Sequence, residues 1–325
     1  MQTRKIGKTG IEVGPLMLGG NVFGWTADAA TSYDILDAFV DTGFNFIDTA
    51  DVYSNWVPGH QGGESETIIG QWLARSRKRS QVVLATKVGM DMGNGNKGLS
   101  RNYILRAVED SLRRLQTDYI DLYFSHIDDT STPLQETLEA YQQLIQQGKV
   151  RIIGASNYKG DRIRQAAAIA KNQKLPAYQV LQNQYNLYDR KEFETDLQPV
   201  ALELKLCTTP HFALASGFLT GKYKSIADTQ GKARGSRVAH YFDERGTRIL
   251  NVLREICRET GVRPAAIALA WLLEQPTVLA PVVSATSVEQ LETIVMIAHT
   301  RLGHADLARL YKASNHLLEK SVVHT

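Results

Sequence analysis

Apolar positions change period along the chain. Short, often β-branched runs read as strands: Leu16 to Leu18, Asn45 to Asp48, Val82 to Lys87, Ile120 to Ser125, Val150 to Ser156, Tyr178 to Gln182, Leu206 to Thr209 and Val278 to Val283. The windows between them carry apolar residues at helical spacing. The clearest is Asn102 to Leu115, where Ile104, Ala107, Val108, Leu112 and Leu115 share a face and Ser100 is the expected N-cap. The next helix is expected to open with Thr132 as N-cap, Pro133 at its first position and Gln135 completing a capping box, and to stop at Gly148.

Eight strands alternating with helices, with no linker or shift in composition dividing the chain, predict an α/β fold: one (β/α)8 TIM barrel domain over residues 1–325 rather than an open Rossmann sheet. The "GKTG" turn near the start predicts a β-hairpin ahead of the first barrel strand, placed to plug the barrel's bottom. Residues 222–245, rich in Gly, Lys, Arg and Ser, form a long loop after the seventh strand, on the side where a barrel carries its active site.

Composition narrows the class. The chain has 325 residues, 43% hydrophobic and 22% charged, as in an ordinary soluble globular protein. Its net charge of +3 comes from interspersed rather than clustered basic residues, which argues against a nucleic-acid partner. Cys207 and Cys257 are the two cysteines, so there is neither a disulfide framework nor a CxxC pair, and a reducing compartment is expected. No stretch has the length and apolarity of a membrane span, so the expectation is a cytoplasmic protein without a membrane partner. A homo-oligomer is compatible with this composition.

Candidate chemistry gathers at the strand ends. Asp48, Lys87 and His126 close three successive strands, and Ser156 with Asn157 and Gln182 with Asn183 close the next two. In a barrel these positions share one rim. Tyr53, five residues past Asp48, can fold back over the same mouth. A phenol with an ordinary pKa near 10 is a poor acid at neutral pH. A lysine ammonium about 4 Å away, at an effective dielectric of roughly 20, favours the phenolate by up to about 4 kcal/mol, or about three pKa units. Lys87 is the expected source of that effect and Asp48 its counter-ion, with His126 beside the substrate oxygen. The set suits proton donation to a developing alkoxide, with the hydride coming from a cofactor, and predicts that alkaline pH slows the reaction.

Two other patterns compete. "GNGNKG", Gly93 to Gly98, matches a dinucleotide fingerprint, but Lys87 to Met92 separate it from the strand, so it reads as a flexible loop. "HIDD" supplies His126, Asp128 and Asp129, which with Asp48 would make a hydrolytic metal site, yet no metal-ligand spacing supports it and no metal is expected.

Over almost its full length the chain resembles the aldo-keto reductase superfamily, in the bacterial branch akin to potassium-channel β subunits. The resemblance rests on "LGG" (Leu18 to Gly20), "FIDTADVYS" (Phe46 to Ser54), "GGESET" (Gly62 to Thr67), "ATKVG" (Ala85 to Gly89) and "SLRRLQTDYIDLY" (Ser111 to Tyr123). It continues through "GKVRIIGASN" (Gly148 to Asn157), "QNQYNLYDR" (Gln182 to Arg190) and "LASGFLTGKY" (Leu214 to Tyr223). The resemblance implies a reductase that moves a hydride from NADPH to a small-molecule aldehyde or ketone, with a tetrad of Asp48, Tyr53, Lys87 and His126 and Tyr53 as proton donor. It also implies that Ser156, Asn157 and Gln182 hold the nicotinamide carboxamide. Gly20, Asn21, Asp48, His211 and Phe212 join the cofactor site. Leu214, Ala215, Gly217, Lys222 and Arg237 would clasp the pyrophosphate, and Ser284, Thr286 and Gln290 would meet the adenosine end. Trp25, Trp56 and Val57 are the expected substrate side. The alternative is a regulatory subunit that senses cofactor redox state in the same pocket with little turnover.

Three departures stand out. His211 replaces the usual aromatic stacked on the nicotinamide, so cofactor affinity is expected to vary with pH. Residues 284–292 lack the Arg or Lys that often holds a 2′-phosphate, which leaves NADH open beside NADPH. Thr293 and Ile294 replace an acidic-asparagine pair at the adenine.

Overall fold

The computed structural model describes residues 2–93 and 95–315. Strands β1 (Arg4–Lys5) and β2 (Glu12–Val13) form the antiparallel hairpin. Strands β3 (Met17–Gly19), β4 (Phe46–Asp48), β5 (Val83–Val88), β6 (Ile120–Ser125), β7 (Val150–Ser156), β8 (Val180–Gln182), β9 (Cys207–Thr208) and β10 (Val282–Val283) form one parallel sheet in the order β10-β3-β4-β5-β6-β7-β8-β9. Backbone bonds from Thr208 N to Thr277 O, Leu279 N to Thr208 O and Val282 N to Pro210 O, each 2.8 Å, join its two ends into a (β/α)8 barrel. Around it lie α1 (Ala29–Asp41), α2 (Glu64–Ser76), α3 (Arg101–Leu115), α4 (Leu134–Gln146), α5 (Gly160–Gln173), α6 (Gln198–Leu204), α7 (Gly235–Ala239), α8 (Glu244–Thr260), α9 (Pro264–Leu273), α10 (Val288–Val295) and α11 (His304–Ala313). Among the described residues no helix is long and apolar enough to cross a membrane.

The barrel interior follows from the two-residue period of a strand, which sends alternate side chains inward. Met17, Phe46, Val83, Ala85, Leu122, Phe124, Ile152 and Val180 pack there as one apolar cluster with Ile6, Ile11 and Val13 of the hairpin, which closes the bottom as expected. Phe124 fills the middle because Gly154 lacks a side chain: a Cβ at Gly154 would lie 2.4 Å from the phenyl ring. Carrying the same alternation one step further up each strand reaches Asp48, Lys87, His126, Ser156 and Gln182. The layer above the apolar plug is therefore polar, and all five side chains face the same mouth. The strand alternatives, Val82, Leu84, Tyr123, Ile153 and Leu181, join the larger core between barrel and helices.

Helix termini depart from expectation. Ser100 occupies the N-cap of α3, but its side chain makes no capping bond. At α4, Pro133 is itself the N-cap and the capping box does not form. Asp129 is the reason: its carboxylate accepts from Thr132 Oγ1 at 2.7 Å, Ser131 N at 3.0 Å and Leu99 N at 2.7 Å, so Thr132 is already committed. Gln135 Nε2 bonds Glu139 instead of reaching back. Gly148, with φ of +73°, lies just beyond α4 as expected. The loop of residues 222–245 is more ordered than its composition suggests, since it holds a 3-10 turn at Ile226–Thr229 as well as α7.

Candidate active site

Tyr53 is brought to the rim by the start of α2. Past β4 the chain turns tightly, with Tyr53 N donating to Ala50 O and Asn55 N to Val52 O. Gly63 N and Ser65 N, at the start of α2, both donate to the Tyr53 carbonyl, at 2.9 and 3.3 Å. Glu64 gathers the rest of the loop: its carboxylate accepts from the backbone N of Gln61, Gly62 and Ser54 at 2.8, 3.0 and 3.3 Å. An acid in the first turn of a helix suits both the free amides and the helix dipole. The "GGES" segment thus holds the tyrosine loop, a role its sequence signals only through the acid at a helix start.

Lys87, fully buried on β5, binds the group together. Its Nζ donates to Asp48 Oδ2 at 2.7 Å, Thr49 O at 2.8 Å and Tyr53 OH at 3.1 Å. Gln182 Nε2 donates to the other Asp48 oxygen at 3.1 Å. Burial opposes the ammonium, but Asp48 and Tyr53 outweigh it and hold its pKa above the ordinary lysine value. Burial raises the Asp48 carboxyl, with Lys87 and Gln182 pulling the other way. The His126 ring lies 5.8 Å from the Tyr53 ring, edge to face. Burial, then the charge of Lys87, keeps its pKa well below the usual histidine value, so the imidazole is neutral.

Tyr53 overturns one expectation. Its phenol is raised above 10.0, not lowered: burial costs the phenolate its hydration, and Asp48 and Asp51 oppose the negative charge that Lys87 favours. His211 overturns another. Burial and Lys87 lower it to about 4, so it stays neutral at ordinary pH and the expected pH-dependent cofactor affinity is displaced to acid.

The residues matched to a cofactor site lie along the same rim. Asn157, at φ of +59°, donates from Nδ2 to His126 O at 2.9 Å and to Ser156 Oγ at 3.1 Å, while its Oδ1 meets His211 Nε2 at 3.1 Å. The rings of His211 and Phe212 touch edge to face, with centroids 5.1 Å apart. Beyond Leu214, Ala215, Ser216 and Gly217 all take positive φ, and a Cβ on Gly217 would lie 3.4 Å from Lys222 Nζ, so the lysine folds over that bend. The Arg237 guanidinium sits 5.7 Å from the Phe212 ring centroid. Ser284 Oγ donates to Asn21 Oδ1 at 2.5 Å, across the junction of β10 and β3, and a Cβ on Gly20 would lie 3.1 Å from Asp48 O. Thr286 N and Oγ1 both donate to Gln290 Oε1 at 3.1 Å, which holds that pair slightly further out.

The expected substrate side is aromatic. Trp25 and Trp56 meet edge to face at 5.7 Å, and Trp56 meets Tyr53 at the same distance. Trp56 is 45% exposed, which leaves it available to a ligand, and Val57 beside it is half-buried. Two residues escaped the sequence reading. Asp51 is buried with neither carboxylate oxygen hydrogen-bonded among the described residues, and burial, then Glu66, raises its pKa well above the ordinary range. Arg234 points toward Trp25, with its guanidinium 5.7 Å from the ring centroid. An acid three residues past Asp48 was visible, but nothing marked Arg234 among the basic residues of its loop.

The competing patterns go elsewhere. Gly93 and Gly95 to Gly98 form a turn closed by Met92 N to Asn96 O at 2.9 Å, and Gly98 N donates back to Gly89 O just past β5 at 2.9 Å, so the segment is a loop folded on itself rather than a strand-to-helix turn; Asn94 of that motif lies outside the described residues. Asp128 pairs with Arg162 at 2.9 Å, and Asp129 holds the start of α4.

Four buried polar atoms at or just beyond the strand ends have no hydrogen-bond partner among the described residues: His126 Nδ1, Asn183 Oδ1, Thr209 Oγ1 and His211 Nδ1. Such atoms ask for a ligand or water. Together with the bend at Gly217 under Lys222 and the nearby Arg237, they fit an extended polar and anionic group lying along the barrel top.

Comparison with known proteins agrees with this geometry. The model of the aldo/keto reductase family matches residues 15–315. An uncharacterized oxidoreductase of Bacillus subtilis, YrpG, is 37% identical over 318 residues, covering 95% of each chain. The aldo-keto reductase YhdN of the same organism is 32% identical across 99% of this chain and 95% of its own. A probable voltage-gated potassium channel subunit beta of Oryza sativa is 33% identical across 90% of this chain and 89% of its own. With a barrel rim built in this way and a family match over nearly all of its length, the chain belongs to the aldo/keto reductase family of oxidoreductases.

Proposed function

We propose that this protein is an NADPH-dependent carbonyl reductase in which Tyr53 donates the proton. The observation that carries the reading is the buried ammonium of Lys87, 2.7 Å from the Asp48 carboxylate and 3.1 Å from the Tyr53 hydroxyl. When bound, the cofactor supplies the hydride. Tyr53 gives its proton to the carbonyl oxygen, and Lys87, kept charged by Asp48, stabilises the phenolate left behind. Neutral His126 hydrogen-bonds the same oxygen. Ser156, Asn157 and Gln182 hold the carboxamide, while Lys222 and Arg237 balance the pyrophosphate charge. NADPH is proposed over NADH from the family, although residues 284–292 offer no basic side chain to a 2′-phosphate.

The similarity to channel β subunits favours a second reading, a redox-sensing subunit. A sensor has no need of an intact proton donor, and all four tetrad positions are occupied here. Fluorescence titration with NADPH and NADH, followed by NADPH oxidation against aldehydes, ketones and quinones, separates the two. Rapid oxidation with at least one carbonyl is expected; tight binding with very slow oxidation by every carbonyl offered would favour the sensor.

The raised phenol sets the pH profile. A proton donor must be protonated, and a pKa above 10.0 keeps Tyr53 so through the neutral and mildly alkaline range. The rate of reduction is expected to hold level from about pH 6 to about pH 9.5 and to fall only beyond about pH 10. Stopped-flow rates of the chemical step would show this, and a fall centred near pH 7 would mean that Lys87 lowers the phenol more than burial raises it.

A further inference from the structure

At the barrel mouth, Arg234 makes no ion pair among the described residues, and its guanidinium faces the Trp25 ring. It is the N-cap of α7, its Nη2 is buried, and that nitrogen has no hydrogen bond among the described residues. Its charge is opposed by burial and by Arg237, and favoured by Tyr223 and Tyr53; no carboxylate contributes. Leaving a guanidinium nitrogen buried without a partner is costly, and the planar fork of the group matches a carboxylate.

Its direction distinguishes it from Arg237. The two arginines lie only three residues apart, at the N-cap and the middle of one short helix, yet Arg237 leans on Phe212 and Arg234 on Trp25, each 5.7 Å from the ring. Phe212 adjoins His211 on the cofactor side. Trp25 leads through Trp56 to Tyr53, along ring contacts of 5.7 Å each. The aromatic wall therefore has the proposed proton donor at one end and the Arg234 guanidinium at the other. The backbone that carries Arg234 is held close to the preceding turn, since a Cβ on the next residue, Gly235, would lie 1.9 Å from Thr229 O.

We propose that Arg234 is a specificity residue that binds the carboxylate of a carbonyl substrate, an oxo acid or carboxyl-bearing aldehyde, whose apolar middle lies on Trp25 and Trp56 and whose carbonyl reaches Tyr53. This rests on the carbonyl-reductase reading of the site. The test compares para-carboxybenzaldehyde with its neutral methyl ester. The wild type is expected to favour the acid in kcat/KM, and Arg234→Leu to lower the acid-to-ester ratio by at least about tenfold, with Arg234→Lys between them, because lysine keeps the charge without the fork. Calorimetric titration of benzoate into the NADP+ complex needs no turnover and is expected to show binding lost in Arg234→Leu at an unchanged melting temperature. If the wild type reduces neither aldehyde, the reductase reading fails while the benzoate titration still decides the role of Arg234. An unchanged acid-to-ester ratio, equal benzoate binding in wild type and Arg234→Leu, or a loss confined to NADPH affinity would overturn the proposal, the last by giving Arg234 to the cofactor.

Discussion

Tyr53→Phe is expected to lower kcat/KM for carbonyl reduction by about a thousandfold or more while leaving NADPH affinity within a few-fold. The phenylalanine keeps the ring that packs edge to face on Trp56 and His126, at 5.7 and 5.8 Å, so the loop geometry survives. The backbone anchors of the loop, Gly63 N and Ser65 N on the Tyr53 carbonyl, do not involve the side chain. What disappears is the hydroxyl held by Lys87 at 3.1 Å, and with it the proposed proton donor. Removing a general acid costs typically between a hundredfold and ten-thousandfold, and here the neutral His126 is the nearest substitute. Steady-state NADPH oxidation with the best substrate, set beside a fluorescence titration of the cofactor, gives both quantities. Near wild-type turnover would transfer the donor role to another group, while a large loss of NADPH affinity would show that the hydroxyl serves binding instead.

The architecture was legible because each strand carries its own two-residue alternation and each helix its own apolar stripe. The barrel then follows from their regular succession, and the polar layer of Asp48, Lys87, His126, Ser156 and Gln182 from counting two residues upward from buried positions. Properties set by neighbours distant in sequence were harder to read. Thr132 looked like an N-cap until Asp129 engaged its hydroxyl. The expected lowering of the Tyr53 pKa weighed Lys87 alone, whereas the folded environment adds burial and the charges of Asp48 and Asp51. Arg234 sat among several basic residues in an irregular stretch, and only the packing of α7 distinguishes it from Arg237. Local periodicity survives in a sequence; competition among partners and the depth of burial arise only on folding.

Lys87→Met tests the same network from its centre and is expected to damage stability and activity together. The substitution removes the ammonium that holds Asp48, Thr49 O and Tyr53, and leaves the Asp48 carboxylate buried with Gln182 as its remaining hydrogen-bond partner among the described residues. Breaking a buried pair by deleting one member costs about 3–5 kcal/mol, because the survivor is an uncompensated charge. The sign of the pH dependence follows. Burial already raises Asp48, and losing Lys87 raises it further, so the folded variant takes up a proton at a pH where the unfolded chain does not. The penalty is therefore largest at neutral and alkaline pH and shrinks as pH falls through the raised folded pKa toward the unfolded value near 4. Adding Asp48→Asn removes the stranded charge and is expected to restore most of the stability, by urea midpoint at pH 8, without restoring reduction. Recovery of both would mean that Lys87 acts only by neutralising Asp48; recovery of neither would mean that the buried polar layer depends on Lys87 for packing more than for charge.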